Sequence, residues 1–183
     1  NGEIKIIQKL ISDPQSKISE MFRFGIELKM PKDFEYIRYY GRGPHENYVD
    51  RKTSADIGMY QQKLNEQAYP YSRVQETGTK SDIRWWKQFN VDGEGLRFTS
   101  EVAFSMSALP FSIQSMDASN FESLKHNYEL KEEDFVNICV DLKQMGLGGE
   151  NSWGRLPYPQ YRVPYQDYEF TLVITPLQNA YWK

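Results

Sequence analysis

The residues best equipped for chemistry gather in two segments. The first reads Tyr40-Gly41-Arg42-Gly43-Pro44-His45-Glu46-Asn47-Tyr48, with Asp50 and Arg51 close behind. It places an imidazole, a carboxylate and a carboxamide side by side, a set that can move protons or hold a polar ligand. The second reads Met145-Gly146-Leu147-Gly148-Gly149-Glu150-Asn151-Ser152-Trp153-Gly154. Its glycines permit positive φ and close backbone approach, so an irregular loop can hold the Trp153 indole outward against a ligand. Glu150 and Asn151 could orient that loop or hydrogen-bond a ligand hydroxyl, and Ser152 could cap it. Each reading has a plainer rival. Trp153 could be ordinary packing, and Glu150 and Asn151 could be solvated loop. His45, Glu46 and Asn47 could serve a hydrogen-bond network inside their own loop, with Arg42, Asp50 and Arg51 pairing across it. His126 is read as structural.

Composition narrows the chemistry. The 183 residues are 39% hydrophobic and 26% charged, enough for a sizeable core. Net charge is −3 and the Lys and Arg residues are scattered among acids, so no basic stripe tracks a nucleic acid backbone. No apolar run reaches the length of a membrane-spanning helix, and the first residues lack a secretory pattern. Two histidines and one cysteine, far apart, make no zinc pattern, and the lone Cys139 excludes an internal disulfide framework. The one excess is aromatic, 15% of residues with 13 tyrosines and 4 tryptophans. Aromatic faces stack against the apolar faces of sugars and other rings, although β-sheets favour the same residues for packing.

Period-2 alternation is the dominant pattern of the elements that must position these segments. Phe22, Phe24, Ile26, Leu28 and Met30 form one apolar row. Leu96, Phe98, Val102, Phe104 and Met106 form another, after the turn signal Asp92-Gly93-Glu94-Gly95. Val136 to Leu142 and Tyr168 to Ile174 repeat it, and weaker strands fall near Ile4 to Ile11, Glu35 to Tyr40, Asp56 to Gln62, Ile83 to Phe89 and Tyr161 to Val163. A short helix is expected within Asp117 to Lys125, with Ser119 or Asn120 as cap. The pattern predicts an all-β antiparallel sandwich forming one domain over residues 1–183, interrupted by three irregular stretches: Gly41 to Ser54, Asn65 to Ser81, and Gly146 to Pro164. Long loops of this kind are more often functional than accidental.

Taken in order, several motifs resemble those of the terminal domain of the large bacterial β-galactosidases. They are the Gly-Arg-Gly-Pro-His-Glu-Asn-Tyr segment, Pro70-Tyr71, Gln75-Glu76-Thr77-Gly78 (with Thr77 where asparagine is usual), Asp82-Ile83-Arg84-Trp85, His126-Asn127-Tyr128-Glu129-Leu130, and the glycine-rich run ending at Trp153. The resemblance runs from about Arg23 onward. It implies an antiparallel supersandwich, similar to galactose mutarotases and truncated on its N-terminal side. A sheet edge exposed near the N-terminus should then pair with another copy or be covered by loops.

The same resemblance implies a non-catalytic part of a retaining glycosidase. The resemblance implies that both catalytic glutamates lie in an upstream barrel domain of the same polypeptide; independently, retaining hydrolysis needs two carboxyl groups about 5 to 5.5 Å apart, and no motif here marks such a pair. Trp153, with Asn151 and Glu150, would face the aglycone or glucose subsite of a β-galactoside. Arg42, His45, Glu46, Asn47 and Asp50 would serve the interface to the barrel or the loop itself. No cofactor is expected in this chain, while the intact enzyme would use magnesium and sodium ions held mainly by the barrel. Bacterial cytoplasm and periplasm remain open as compartments. The rival classes are a free-standing carbohydrate-binding module, and a mutarotase-like enzyme pairing His45 or His126 with Glu46, Glu76 or Glu129; neither histidine sits in the mutarotase motif context.

Overall fold

The computed structural model describes residues 2–117, 124–148 and 154–180. Ten antiparallel strands account for about half of it: β1 (Ile4–Leu10), β2 (Glu20–Met21), β3 (Arg23–Pro31), β4 (Tyr36–Gly43), β5 (Asp56–Lys63), β6 (Lys80–Phe89), β7 (Gly95–Leu109), β8 (Phe135–Gln144), β9 (Val163–Pro164) and β10 (Tyr168–Leu177). The expected all-β antiparallel architecture is thus present. The turn signal at Asp92-Gly93 forms the β6–β7 hairpin: Gly93 takes φ +79°, and Asn90 Oδ1 accepts from the amides of Asp92 and Glu94.

The main sheet runs β1-β10-β7-β6-β4-β5 and branches at β7. Residues 95–99 of this strand pair with β10, whereas residues 105–109 pair on the same side with β8, which carries β3 beyond it. One 15-residue strand therefore belongs to two layers. Their apolar rows meet in a single core: Phe24 and Met30 from β3, Val136, Ile138 and Val140 from β8, against Ile37, Tyr39, Trp86, Phe98, Phe170 and Leu172. Phe24 stacks on Tyr168 across the two layers at 5.4 Å between ring centres.

Two members of the expected apolar rows point elsewhere. Phe22 is 79% exposed, because the chain is leaving the short β2–β9 ribbon at that point and enters β3 only at Arg23. Val102 is 52% exposed, because it lies in the stretch of β7 between its β10 and β8 pairings, where the register against β6 also shifts. The helix expected within Asp117 to Lys125 falls largely on residues outside those described, and a separate helical turn precedes it. A single turn, α1, covers Ile113–Met116, and Asp117 is already extended. It is pinned there by Phe111 and Met116, which enter a second small cluster with Val74 and Leu109 beneath the long loops. Ser119 and Asn120 lie outside the described residues.

Among the described residues β1 and β5 end the main sheet, and β3 ends its branch, each with a single hydrogen-bonded neighbour. β1 exposes Ile4 (57%) and Ile7 (52%), so the sheet is left open on its N-terminal side.

Trp86 sits at the centre of the core, fully buried, stacked on Tyr39 at 5.0 Å and donating from Nε1 to Gln88 Oε1 at 3.0 Å. Trp86→Ala is expected to lower unfolding free energy by about 3–5 kcal/mol through cavity formation. The check is a urea titration in which the midpoint falls while the slope is retained.

Candidate functional site

The first loop leaves β4 through a cis Gly43–Pro44 bond and is held by side chains from its own sequence. Asn47 is completely buried. Its Nδ2 donates to the carbonyls of Arg42 and His45 at 3.1 and 3.0 Å, and its Oδ1 accepts from the Ser81 amide at 2.9 Å and from the Ser81 hydroxyl. Arg42 donates to Asp82 at 2.6 Å and to the Ala55 carbonyl at 2.7 Å, and Lys52 reaches the same Asp82 carboxylate at 3.0 Å. Burial pushes the Asp82 carboxyl up, but the bonds from Arg42 and Lys52 outweigh it and hold its pKa below the usual value. His45 lies at the exposed rim with Nε2 3.1 Å from Ser54 Oγ.

Glu46 ties this loop to the second. Its Oε1 accepts from the Tyr71 hydroxyl, while Oε2 accepts from the Gly78 amide at 2.7 Å and the Thr77 hydroxyl at 3.0 Å. Arg51 approaches Glu46 at 3.6 Å and donates to Tyr71. Thr77, fully buried, also accepts from the Tyr69 amide at 2.8 Å, so its hydroxyl closes the second loop on itself and joins it to the first. Gly78 has φ +78°, and a Cβ there would meet Gln67 O at 3.0 Å.

Below these loops lies a buried polar layer. Arg23 forks onto Asp141 at 2.6 and 3.2 Å and reaches Glu76 at 3.7 Å. Burial raises the pKa of both carboxyls while Arg23 pulls each back, and the guanidinium keeps its charge. Beside them Lys80, 1% exposed, donates to Gln67 Oε1 at 3.3 Å and to the Gly78 carbonyl at 3.1 Å. Burial lowers its pKa to about 8, against the opposing pull of Glu46.

The third loop begins on the first. Both Asp50 carboxylate oxygens accept backbone amides, Oδ1 from Leu147 at 3.1 Å and Oδ2 from Gly148 at 2.8 Å, and the Gly146 amide donates to Tyr161 O at 2.8 Å. The loop returns through Leu156 to Tyr161, enclosing a cleft of about 320 Å³ lined by Asp50, Gly148, Leu156, Pro157, Tyr158, Gln160 and Tyr161. That volume is at the small end of the ~300–1,000 Å³ typical of ligand sites. Leu156 (47%) and Tyr158 (54%) present apolar and aromatic surface to solvent at its rim. Among the described residues the cleft lining holds one carboxylate, already engaged by two amides, so these residues can hold a ring but offer no carboxyl pair for glycoside cleavage.

The sequence-predicted residues are thus distributed as follows. Glu46, Asn47 and Asp50 radiate from one loop to three different neighbours. Arg42, Asp50 and Arg51 do not pair with one another: Arg42 goes to Asp82 and to the Lys52 and Ala55 carbonyls, Arg51 to Tyr71 and to Glu46 of its own loop, and Asp50 to the third loop. Glu150, Asn151 and Trp153 lie outside the described residues. His126 stacks on Tyr128 and sits 3.0 Å from Ser72 O, away from His45. Sequence reasoning missed Leu156, Tyr158 and Gln160; the Pro157-Tyr158-Pro159 alternation was the available signal. It also missed the buried Lys80, which nothing in its local pattern marks.

Comparison with known proteins supplies relatives. Residues 1–174 match the family described as the β-galactosidase small chain. The chain is 36% identical over 178 residues to a β-galactosidase of Priestia megaterium, covering 97% of this chain and 16% of that protein. It is 38% identical over 156 residues to one from Lactobacillus delbrueckii subsp. bulgaricus, covering 84% and 15%. A third, from Halalkalibacterium halodurans, is 32% identical over 152 residues, covering 82% and 15%. The chain therefore spans less than a fifth of the length of these relatives.

Lys80 makes the network pH-dependent in a defined direction. With a folded pKa of about 8 and an unfolded one of 10.5, the unfolded chain holds the proton more tightly between those values. The Lys80 contribution therefore destabilises fully below about pH 8 and is relieved as pH rises toward 10.5. Relative to Lys80→Met, the parent should gain on the order of 1–3 kcal/mol between pH 7 and pH 10. Paired urea titrations across that range measure it, and parallel profiles would refute it.

Proposed function

From the premise that this chain belongs to the β-galactosidase small-chain family, we propose that it is a non-catalytic part of a β-galactosidase, an enzyme that removes terminal β-galactose residues. Its partners are the upstream barrel domain, which carries both catalytic glutamates, and the β-galactoside itself. The domain buttresses the barrel and contributes Trp153, with Asn151 and Glu150 beside it, to the subsite that holds glucose or another acceptor. The observation that carries this reading is the root of the third loop: its backbone is clamped to Asp50, next to a cleft rimmed by Leu156 and Tyr158 in which, among the described residues, the one carboxylate is already engaged. Such a surface binds and orients. Magnesium and sodium, which the complete enzyme would use, are assigned to the barrel.

Trp153 acts by stacking, worth about 0.5–1.5 kcal/mol beyond area burial. In the complete enzyme, Trp153→Ala should weaken glucose and lactose binding by roughly two- to tenfold, and binding of the galactosyl unit much less. Inhibition constants for glucose and galactose, measured side by side, separate the two, and equal glucose affinity in parent and variant contradicts the reading. The rival, a free-standing carbohydrate-binding module, requires the chain alone to bind lactose with measurable affinity in a calorimetric titration; the half-site proposed here gives none.

A further inference from the structure

We infer that Asp50 is a positioning residue for the third loop, fixing its backbone at Leu147 and Gly148 and thereby setting acceptor affinity without touching the sugar. The second half of this inference rests on the proposed role of Trp153. The first half stands on geometry alone.

Asp50 sits in a tight turn in which the Arg51 amide donates to Tyr48 O at 2.8 Å and the Tyr48 amide returns to Arg51 O at 3.3 Å. Tyr48 is 1% exposed, so the turn is anchored in the body of the protein. From there a single carboxylate accepts two successive amides, 97 and 98 residues further along the chain. These bonds are charge-assisted, and together they fix both the position and the direction of the backbone. Sequence also makes room for them. A Cβ on Gly146 would lie 2.6 Å from the Asp50 carboxylate, so only glycine allows this approach. Gly148, at φ +70°, turns the chain so that its Cα faces Arg155 O and Pro157, and both strands of the loop become walls of the same cleft. Arg42 and Lys52 are directed to Asp82 of β6, and Glu46 and Arg51 to the second loop and to each other, whereas Asp50 reaches the third loop.

The test combines amide hydrogen exchange with acceptor kinetics in the complete enzyme. In the parent, the Leu147 and Gly148 amides should be protected. Asp50→Ala should speed their exchange at least tenfold and leave the β7 and β8 amides unaltered. Asp50→Asn, which keeps one acceptor oxygen, should fall between, and Gly146→Ala, which displaces the carboxylate from the other side, should reproduce the effect. Unprotected amides in the parent, or protection in Asp50→Ala or Gly146→Ala as strong as in the parent, overturn the inference. In kinetics, Asp50→Asn should raise the acceptor KM roughly twofold or more, up to but not beyond the effect of Trp153→Ala, with a smaller change in kcat. If Trp153→Ala weakens acceptor binding and Asp50→Asn does not, the inference fails and the reading of Trp153 survives. If Trp153→Ala has no effect, that reading fails, and the exchange result alone decides whether Asp50 holds the loop.

Discussion

Backbone removed from water must still find partners for its N–H and C=O groups, and irregular segments cannot find them in a strand ladder. The three long loops of this protein meet that constraint with side chains from one of them. Asn47 closes the first loop on itself and on Ser81, Glu46 accepts the Gly78 amide of the second, and Asp50 accepts the Leu147 and Gly148 amides of the third. Three polar residues within five positions thus replace the hydrogen bonds that a sheet would have supplied. The rest of the loop surface, including the cleft, inherits its geometry from these contacts.

The same arrangement explains why the interior tolerates charge. Glu46 has 9% of its side chain exposed and is surrounded by donors, with Arg51 nearby. Asp141, at 4%, shares Arg23 with Glu76. A buried ion pair contributes little net stability, but removing one partner leaves an uncompensated charge. These clusters are therefore better understood as fixing which loop lies where, since each joins elements far apart in the chain.

Much of the fold was legible because alternation of apolar residues is a direct record of a half-buried strand. Four rows, at Phe24–Met30, Phe98–Met106, Val136–Leu142 and Tyr168–Ile174, lie within observed strands. Alternation reports which face is buried and is silent on how long a strand stays in one layer, so the exposed Val102 could not be foreseen. The motif segments marked where polar residues concentrate. They did not disclose the partners of Arg42, Asp50 and Arg51, because those are set by the approach of segments 40, 98 and 20 residues away in the chain, respectively. Lys80 illustrates the opposite limit: a lysine in a strand reads as solvent-facing, and only the second loop folding over it makes it interior.

The shared strand β7 has a mechanical corollary. At about 3.4 Å per residue its 15 residues form a rod roughly 50 Å long, riveted to β10 near one end and to β8 near the other. Layers joined by a continuous rod cannot slide or hinge independently, so the sandwich should behave as a stiff bracket that carries load from its open β1 side to the loop-bearing side without absorbing it.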